Sequence, residues 1–344
     1  MINHFPLEKG LNMIYPDLPL IDLHRHIEGN MRPQTIIDLA QQHNLELPVW
    51  NEAGLRPYLQ VQSQQPGVMA FLEKFNLPMQ VLVNLDACRR VAYEAVLDAA
   101  NEGIDYIELR FSPWFMAEKH SLNPQGVVEA VLDGTLAGQT ESGIKAKLLG
   151  ILSRTYGPEI AMQELEALLP FADRIVGLDL AGDEANFPAE QFKRHFELAR
   201  EVGWKATVHA GESAGAESIW QSIKVLGAQR IGHGLAAIHD HELMDFLFER
   251  QIGIECNLTS NVQTSSVADY ASHPLKAFLE SGLCASINSD DPGISGIDLP
   301  FEYNVAAPQA GLSAAQIRQA QLNAAESAFL TPREKQNLLK NKKL

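Results

Sequence analysis

Short apolar or β-branched runs that end in polar residues recur along the chain, and each is followed by a stretch whose apolar residues return every three or four positions. Eight runs read as strands: 19–26 (PLIDLHRH), 104–112 (IDYIELRFS), 145–154 (KAKLLGILSR), 174–182 (RIVGLDLAG), 204–212 (WKATVHAGE), 230–234 (RIGHG), 252–261 (IGIECNLTSN) and 283–291 (LCASINSDD). Segments 127–139, 192–202 and 241–250 lie between them and have the spacing of amphipathic helices. Alternating strands and helices predict a parallel sheet with right-handed crossovers, and eight such units predict closure into a (β/α)8 TIM barrel.

The first crossover is the long one, with extra helices inserted after the first strand over about 31–102. Residues 31–42 read as a helix, with Asn30 as its cap, Pro33 in its first turn, and Ile36, Ile37, Leu39 and Ala40 as its buried stripe. Further helix is expected at 68–82 and 86–102, with a Pro/Gln/Ser-containing loop near 57–67. Helices inserted at a barrel mouth commonly form a lid or pocket wall. The C-terminal helices are expected over about 313–344. There the tail from Thr331, with Arg333, Lys335, Lys340, Lys342 and Lys343, reads as a solvated helix rather than a basic binding arm. No fixed-period repeat interrupts this pattern, so residues 1–344 are expected to form one barrel domain.

Charge narrows the partners. With 27 Lys and Arg against 43 Asp and Glu, the formal charge is −16, which disfavours nucleic acid and anionic membrane surfaces and favours a small ligand of little charge. The three cysteines, Cys88, Cys256 and Cys284, are far apart and never form C-x-x-C, so buried reduced thiols are expected rather than a disulfide framework or a cysteine metal cage. The N-terminal stretch has no continuous apolar core of a signal peptide and no run reaches a membrane span, so a cytoplasmic location is expected. The oligomeric state is left open.

The polar residues gather at the C-terminal ends of the strands, the face that carries active sites in such barrels. His24 and His26 are two apart on a strand and so point the same way. Alone, H-x-H most often means two hydrogen-bonded histidines. His209 in VHAGE, His233 in RIGHG and Asp290 and Asp291 in SDDP, each at the end of another strand, turn it into a candidate metal site. Three imidazoles and a carboxylate suit zinc, and the ligand set is read as His24, His26, His209 and Asp290. Zinc there would make hydroxide available at neutral pH. Glu212, three residues past His209 and after a flexible Gly211, is placed as proton donor; without the cluster it would read as a loop or helix-capping carboxylate. His233 is either a fourth imidazole ligand or a neighbour that orients the nucleophile, and the second is favoured because the first shell is already complete. Adjacent strand residues point opposite ways, so unless the strand has ended Asp291 leaves the metal face, and it is placed as a substrate hydrogen-bond partner. The H-x-E plus P-C-x-x-C pattern of one class of zinc deaminase is absent. The fourth run ends LDLAGD without a lysine to bridge two metals, so one zinc per chain is expected.

The stretches IDLHRHIEGNMRPQTI, LDACRRVAYE, YIELRFSP, LDLAGDE, TVHAGE, ESIW, RIGHG, LTSN and INSDDPG, in this order, resemble the adenosine deaminase family from about Leu20 to the C-terminal helix. The resemblance implies a one-zinc barrel that converts adenosine and 2′-deoxyadenosine to inosine or deoxyinosine and ammonia, in purine salvage. By matching motif it implies zinc ligands His24, His26, His209 and Asp290, Glu212 as proton donor to purine N1, and His233 orienting the hydroxide. Asp291 is implied to contact N7 and the Gly182 backbone N3, with His26 and Glu28 also against substrate. One departure stands out: where the family carries H-x-H-L-D-G this chain reads H-R-H-I-E-G, so Glu28 replaces the aspartate that contacts the ribose 5′-hydroxyl. That keeps adenine or a 5′-modified adenosine as an alternative substrate, although Gly232 stands where the adenine branch tends to carry aspartate. An inactive purine-binding protein is a remote third reading, since every chemical group is present.

Overall fold

A computed structural model describes residues 12–342, so the expected tail residue Lys343 lies outside it. All eight runs are strands: β1 Ile21–His26, β2 Tyr106–Phe111, β3 Lys145–Ser153, β4 Ile175–Ala181, β5 Lys205–Ala210, β6 Arg230–His233, β7 Gly253–Cys256 and β8 Ala285–Ile287. Each pairs in parallel with the next. The ring is a nearly closed (β/α)8 barrel, joined at its seam by the His26 N–H donating to the Asp290 carbonyl (2.9 Å) and the Asp290 N–H to the His24 carbonyl (2.7 Å). β4 and β5 pair only near their starts. Where they part, the buried Arg154 guanidinium donates to the Leu180 carbonyl at 3.1 Å and the His209 carbonyl at 2.8 Å.

The strand alternation sends Ile107, Leu109 and Phe111 to the shell that packs on the helices, and Glu108 and Arg110 to the inside. The barrel interior is an ion network. Arg110 bonds Asp179 and Glu255, and Arg230 bonds Glu255 and Glu108. Each cation is thereby paired, as burial of charge requires. At the base, the helix Ala314–Ser327 covers Ile21, Leu23 and Tyr106. The helix Pro332–Asn341 follows, capped by Thr331 and Glu334 in a reciprocal box; it fully buries none of its residues, but Leu338 and Leu339 pack half-buried against the same cluster, so one face is docked rather than solvated.

The inserted region differs from expectation at its ends. Its first helix is Pro33–Gln42, with the expected stripe buried, but Arg32 precedes it without a side-chain cap. Asn30 lies in a short turn, Glu28–Asn30, and donates instead to Asp98 at 3.3 Å. A helix Glu52–Leu59, capped by Asn51, runs through Pro57 into the expected loop. The segment 68–82 is broken into Val68–Leu72, a tighter turn at Glu73–Phe75, and Asn76–Gln80, whereas Leu85–Asn101 is one helix capped by Asn84. The three cysteines are buried and free. No helix among the described residues is long and apolar enough to cross a membrane.

Candidate active site

A cavity of about 230 Å³ opens at the C-terminal ends of the strands, and all nine sequence-predicted site residues except His24 line it. Val68, Met69, Phe71, Leu72 and Phe75 of the inserted helices, with Phe115, form its apolar wall. On the other side are His26, His209, His233, Glu28, Glu212, Asp290 and Asp291. His24 lies behind these, fully buried, at the root of the cluster.

The four expected metal donors converge, with one ligand atom from each of His24, His26, His209 and Asp290 lying within 4.8 Å of all the others. His24 Nε2 is 3.0 Å from His209 Nε2, and His26 Nε2 is 3.3 Å from it. Asp290 Oδ1 is 3.2 Å from His24 Nε2 and 3.4 Å from His26 Nε2. The far side of the rings decides what these contacts mean. His24 Nδ1 is 2.7 Å from Glu255 Oε2, and His209 Nδ1 is 3.0 Å from Asp179 Oδ2. A carboxylate only accepts, so both Nδ1 atoms carry the proton, and in the neutral rings that ligate both Nε2 atoms present bare lone pairs to each other. Such a cluster repels itself unless a cation sits among the donors. Ligands at zinc–nitrogen bond lengths in a tetrahedron are about 3.3 Å apart, in line with these separations. Burial, the main cause, lowers the His26 imidazole to about 4 and lowers that of His209 as well, favouring the neutral form that ligates, whereas at His24 the Asp290 and Glu255 carboxylates outweigh burial and raise it. The residues present fit a metal ion.

Asp290 reaches the cluster because β8 ends at Ile287 and Asp290 adopts a left-handed φ of 62°. The alternation rule that was to turn Asp291 to the opposite face therefore no longer applies, and both carboxyls line the same cavity. His233 likewise has φ of 63°, a strained conformation for a non-glycine residue and one that clusters at functional sites. The side-chain amides of Asn261 (2.9 Å) and Asn257 (3.3 Å) donate to His233 Nδ1. The neutral ring therefore carries its proton on Nε2, 3.6 Å from Glu212 Oε2 and 4.0 Å from Asp290 Oδ2. His233 stands outside the four-donor cluster, beside it.

Glu212 follows Gly211, which has φ of 72°. Its side chain receives only long contacts, 3.5 Å each, from Asn261 Nδ2 and Thr264 Oγ1. Burial first, then the Asp290 and Glu184 charges, hold its carboxyl well above the usual carboxylate range. Asp291 is raised in the same way, by burial and then by Asp290, Glu28 and Glu212, and its Oδ1 is buried without a partner. Glu28 accepts the Ser112 N–H at 2.6 Å through Oε1, while Oε2 has no partner, and burial pushes the carboxyl up to about 7. Gly182, φ 109°, brings its backbone to the cavity wall, where a Cβ would meet Thr155 Oγ1 at 2.4 Å. The pocket thus sets Asp290, which the neighbouring histidines hold below the usual carboxylate range against its burial, beside carboxyls that burial pushes up, the divergence that general acid chemistry uses.

Several residues around these were not singled out from the sequence. Asp179 and Glu255 orient the histidines, Arg110 ties both carboxylates together at 2.8 Å each, Asn261 fixes the His233 ring, and Glu184 holds the turn bearing Glu212. The available signal was a charged residue inside an otherwise apolar strand run, as in GLDLA and GIEC.

The adenosine deaminase family model matches residues 19–342. An adenosine deaminase of Escherichia coli O1:K1 / APEC is 57% identical over 326 residues, 95% of this chain and 98% of that protein. One from Proteus mirabilis (strain HI4320) is 57% identical over 328 residues, with the same coverage. Among solved structures, the adenine deaminase from Arthrobacter aurescens superposes with a TM-score of 0.87 at 26% identity, covering 94% of this chain and 98% of that one. With the family model spanning nearly its whole length and such close bacterial relatives, the chain belongs to the adenosine deaminase family.

Proposed function

We propose that the protein holds one zinc ion through His24, His26, His209 and Asp290 and hydrolytically deaminates adenosine and 2′-deoxyadenosine to inosine or deoxyinosine and ammonia. The observation that carries this reading is the meeting, in one cavity, of a four-donor cluster and a buried carboxyl, Glu212, that burial pushes well above the usual carboxylate range. When bound, the ion supplies Lewis-acid activation of a water, lowering its pKa toward about 7.

The remaining chemistry falls to the chain's own groups. Addition of water at purine C6 forms a C–O bond and pushes an electron pair onto N1, which takes the Glu212 proton. Stabilising that developing charge acts mainly on the transition state. The His233 Nε2–H, beside Glu212 and Asp290, orients the incoming oxygen. Water brings two protons: one departs with the amine as ammonia when the C6–N bond breaks, and the other restores Glu212. Asp291, kept neutral, offers a hydrogen bond to N7, the Gly182 backbone faces N3, and Glu28 lies at the sugar end.

The lining holds no lysine or arginine among the described residues, which supports an uncharged nucleoside over a nucleotide. The 57% identity to adenosine deaminases, against 26% to the adenine deaminase, favours the nucleoside over the free base. Three reduced, buried thiols support a cytoplasmic setting. The test is a substrate panel of adenosine, 2′-deoxyadenosine, adenine and AMP with metal-replete protein. kcat/KM should be highest for the two nucleosides. Inertness toward both would refute the proposal, and a preference for adenine would refute its substrate.

A further inference from the structure

Glu184, three residues beyond the end of β4, is buried to 4% exposure. Its carboxylate accepts four consecutive backbone N–H groups of the neighbouring β5 loop: Gly211 at 2.5 Å, Glu212 at 3.1 Å, Ser213 at 2.8 Å and Ala214 at 3.1 Å. The Ser213 hydroxyl adds a fifth contact at 3.3 Å. Successive N–H groups curled in this way form a concave anion site, here filled from within the chain. Glu184 is itself held, because Gly182 turns the loop through a left-handed φ of 109° and the Asp183 N–H donates to Thr155 Oγ1 at 2.9 Å.

The Glu212 carboxyl is fixed only by long contacts among the described residues, two at 3.5 Å from Asn261 and Thr264 and one at 3.6 Å to His233. Its position is set by its backbone, and that backbone is set by Glu184. Resting on the deaminase reading above, we propose that Glu184 is a positioning residue for the reaction: its buried carboxylate clamps the Gly211–Ala214 turn and thereby places the Glu212 acid against the purine ring. The Glu184 charge also adds to that of Asp290 in opposing ionisation of Glu212.

The experiment compares Glu184→Gln, which keeps the shape, and Glu184→Ala in the metal-loaded protein. It follows kcat for adenosine, inhibition by inosine, and backbone amide exchange. A displacement of the acid by about 1 Å is expected to cost on the order of 100-fold in kcat for Glu184→Ala, and less for Glu184→Gln, while inosine binding changes little. Exchange should quicken at 211–214 while β4 and β5 keep their protection. Wild-type kcat in both variants would overturn the proposal. So would a parallel loss of kcat, inosine binding and protection throughout the barrel, which marks a merely structural role. If the wild-type protein does not deaminate adenosine, the deaminase reading fails separately, and unchanged exchange at 211–214 would still remove the clamp.

Discussion

Gly29 is buried in the turn Glu28–Asn30, with a backbone conformation open to any residue, so an alanine there meets no conformational barrier. It meets Asp291 instead. A Cβ at this position would lie 1.8 Å from Asp291 Oδ1, 2.5 Å from its Cγ and 2.7 Å from its Cβ. All three atoms are closer than any real contact, so the whole side chain has to move and not merely its tip. Restoring ordinary separation takes about 1.5 Å, enough at a reacting site to cost on the order of 100-fold in kcat/KM. The overpacking itself costs about 1–3 kcal/mol, a few degrees in Tm. Gly29→Ala should therefore lose about 100-fold in kcat/KM for adenosine while its metal content and fold persist, as measured by steady-state kinetics, metal analysis and thermal melting. Activity within about threefold of wild type would show that the position of Asp291 does not matter to substrate, and the reasoning would fail.

Glu212→Gln keeps the shape and removes the proton, so kcat should fall by about 10²–10⁴-fold while metal and inosine binding remain; retained turnover would take Glu212 out of its role. Asp179→Ala deprives His209 of the acceptor that fixes its ring, and metal affinity should drop about 10–100-fold in competition with a chelator; unchanged affinity would contradict the orienting role. Glu302, which accepts the Thr259 N–H at 3.2 Å, is pushed by burial from its ordinary 4.5 up to about 8. The folded protein then binds a proton that the unfolded chain has lost, so this residue makes stability fall as pH rises from about 4.5 to about 8. Glu302→Gln has no such proton, and its Tm relative to wild type should rise across that window and level off above it; a difference independent of pH would refute the assignment.

The strands were legible because each is an apolar run closed by polar residues, and the four converging donors because they stand at three such closures, His24 and His26 sharing the first. What the sequence concealed depends on distant partners or on backbone turns. Asn30 looks like a cap from its neighbours alone, yet its side chain is taken by Asp98, 68 residues away. Pro57 reads as a loop former, but sits inside a helix whose cap, Asn51, lies well upstream. Asp179, Glu255 and Glu184 are visible as carboxylates, but what each one holds belongs to another strand or loop.

On the reading proposed above, the His24, His26, His209 and Asp290 cluster holds one zinc ion on which adenosine turnover depends. Stripping the protein with a chelator and titrating zinc back, with bound metal and the fall in adenosine absorbance followed together, tests it most directly. Turnover should be absent in the stripped protein and rise linearly to a plateau at one zinc per chain. Full activity without metal, or a plateau reached only at two, would contradict the account.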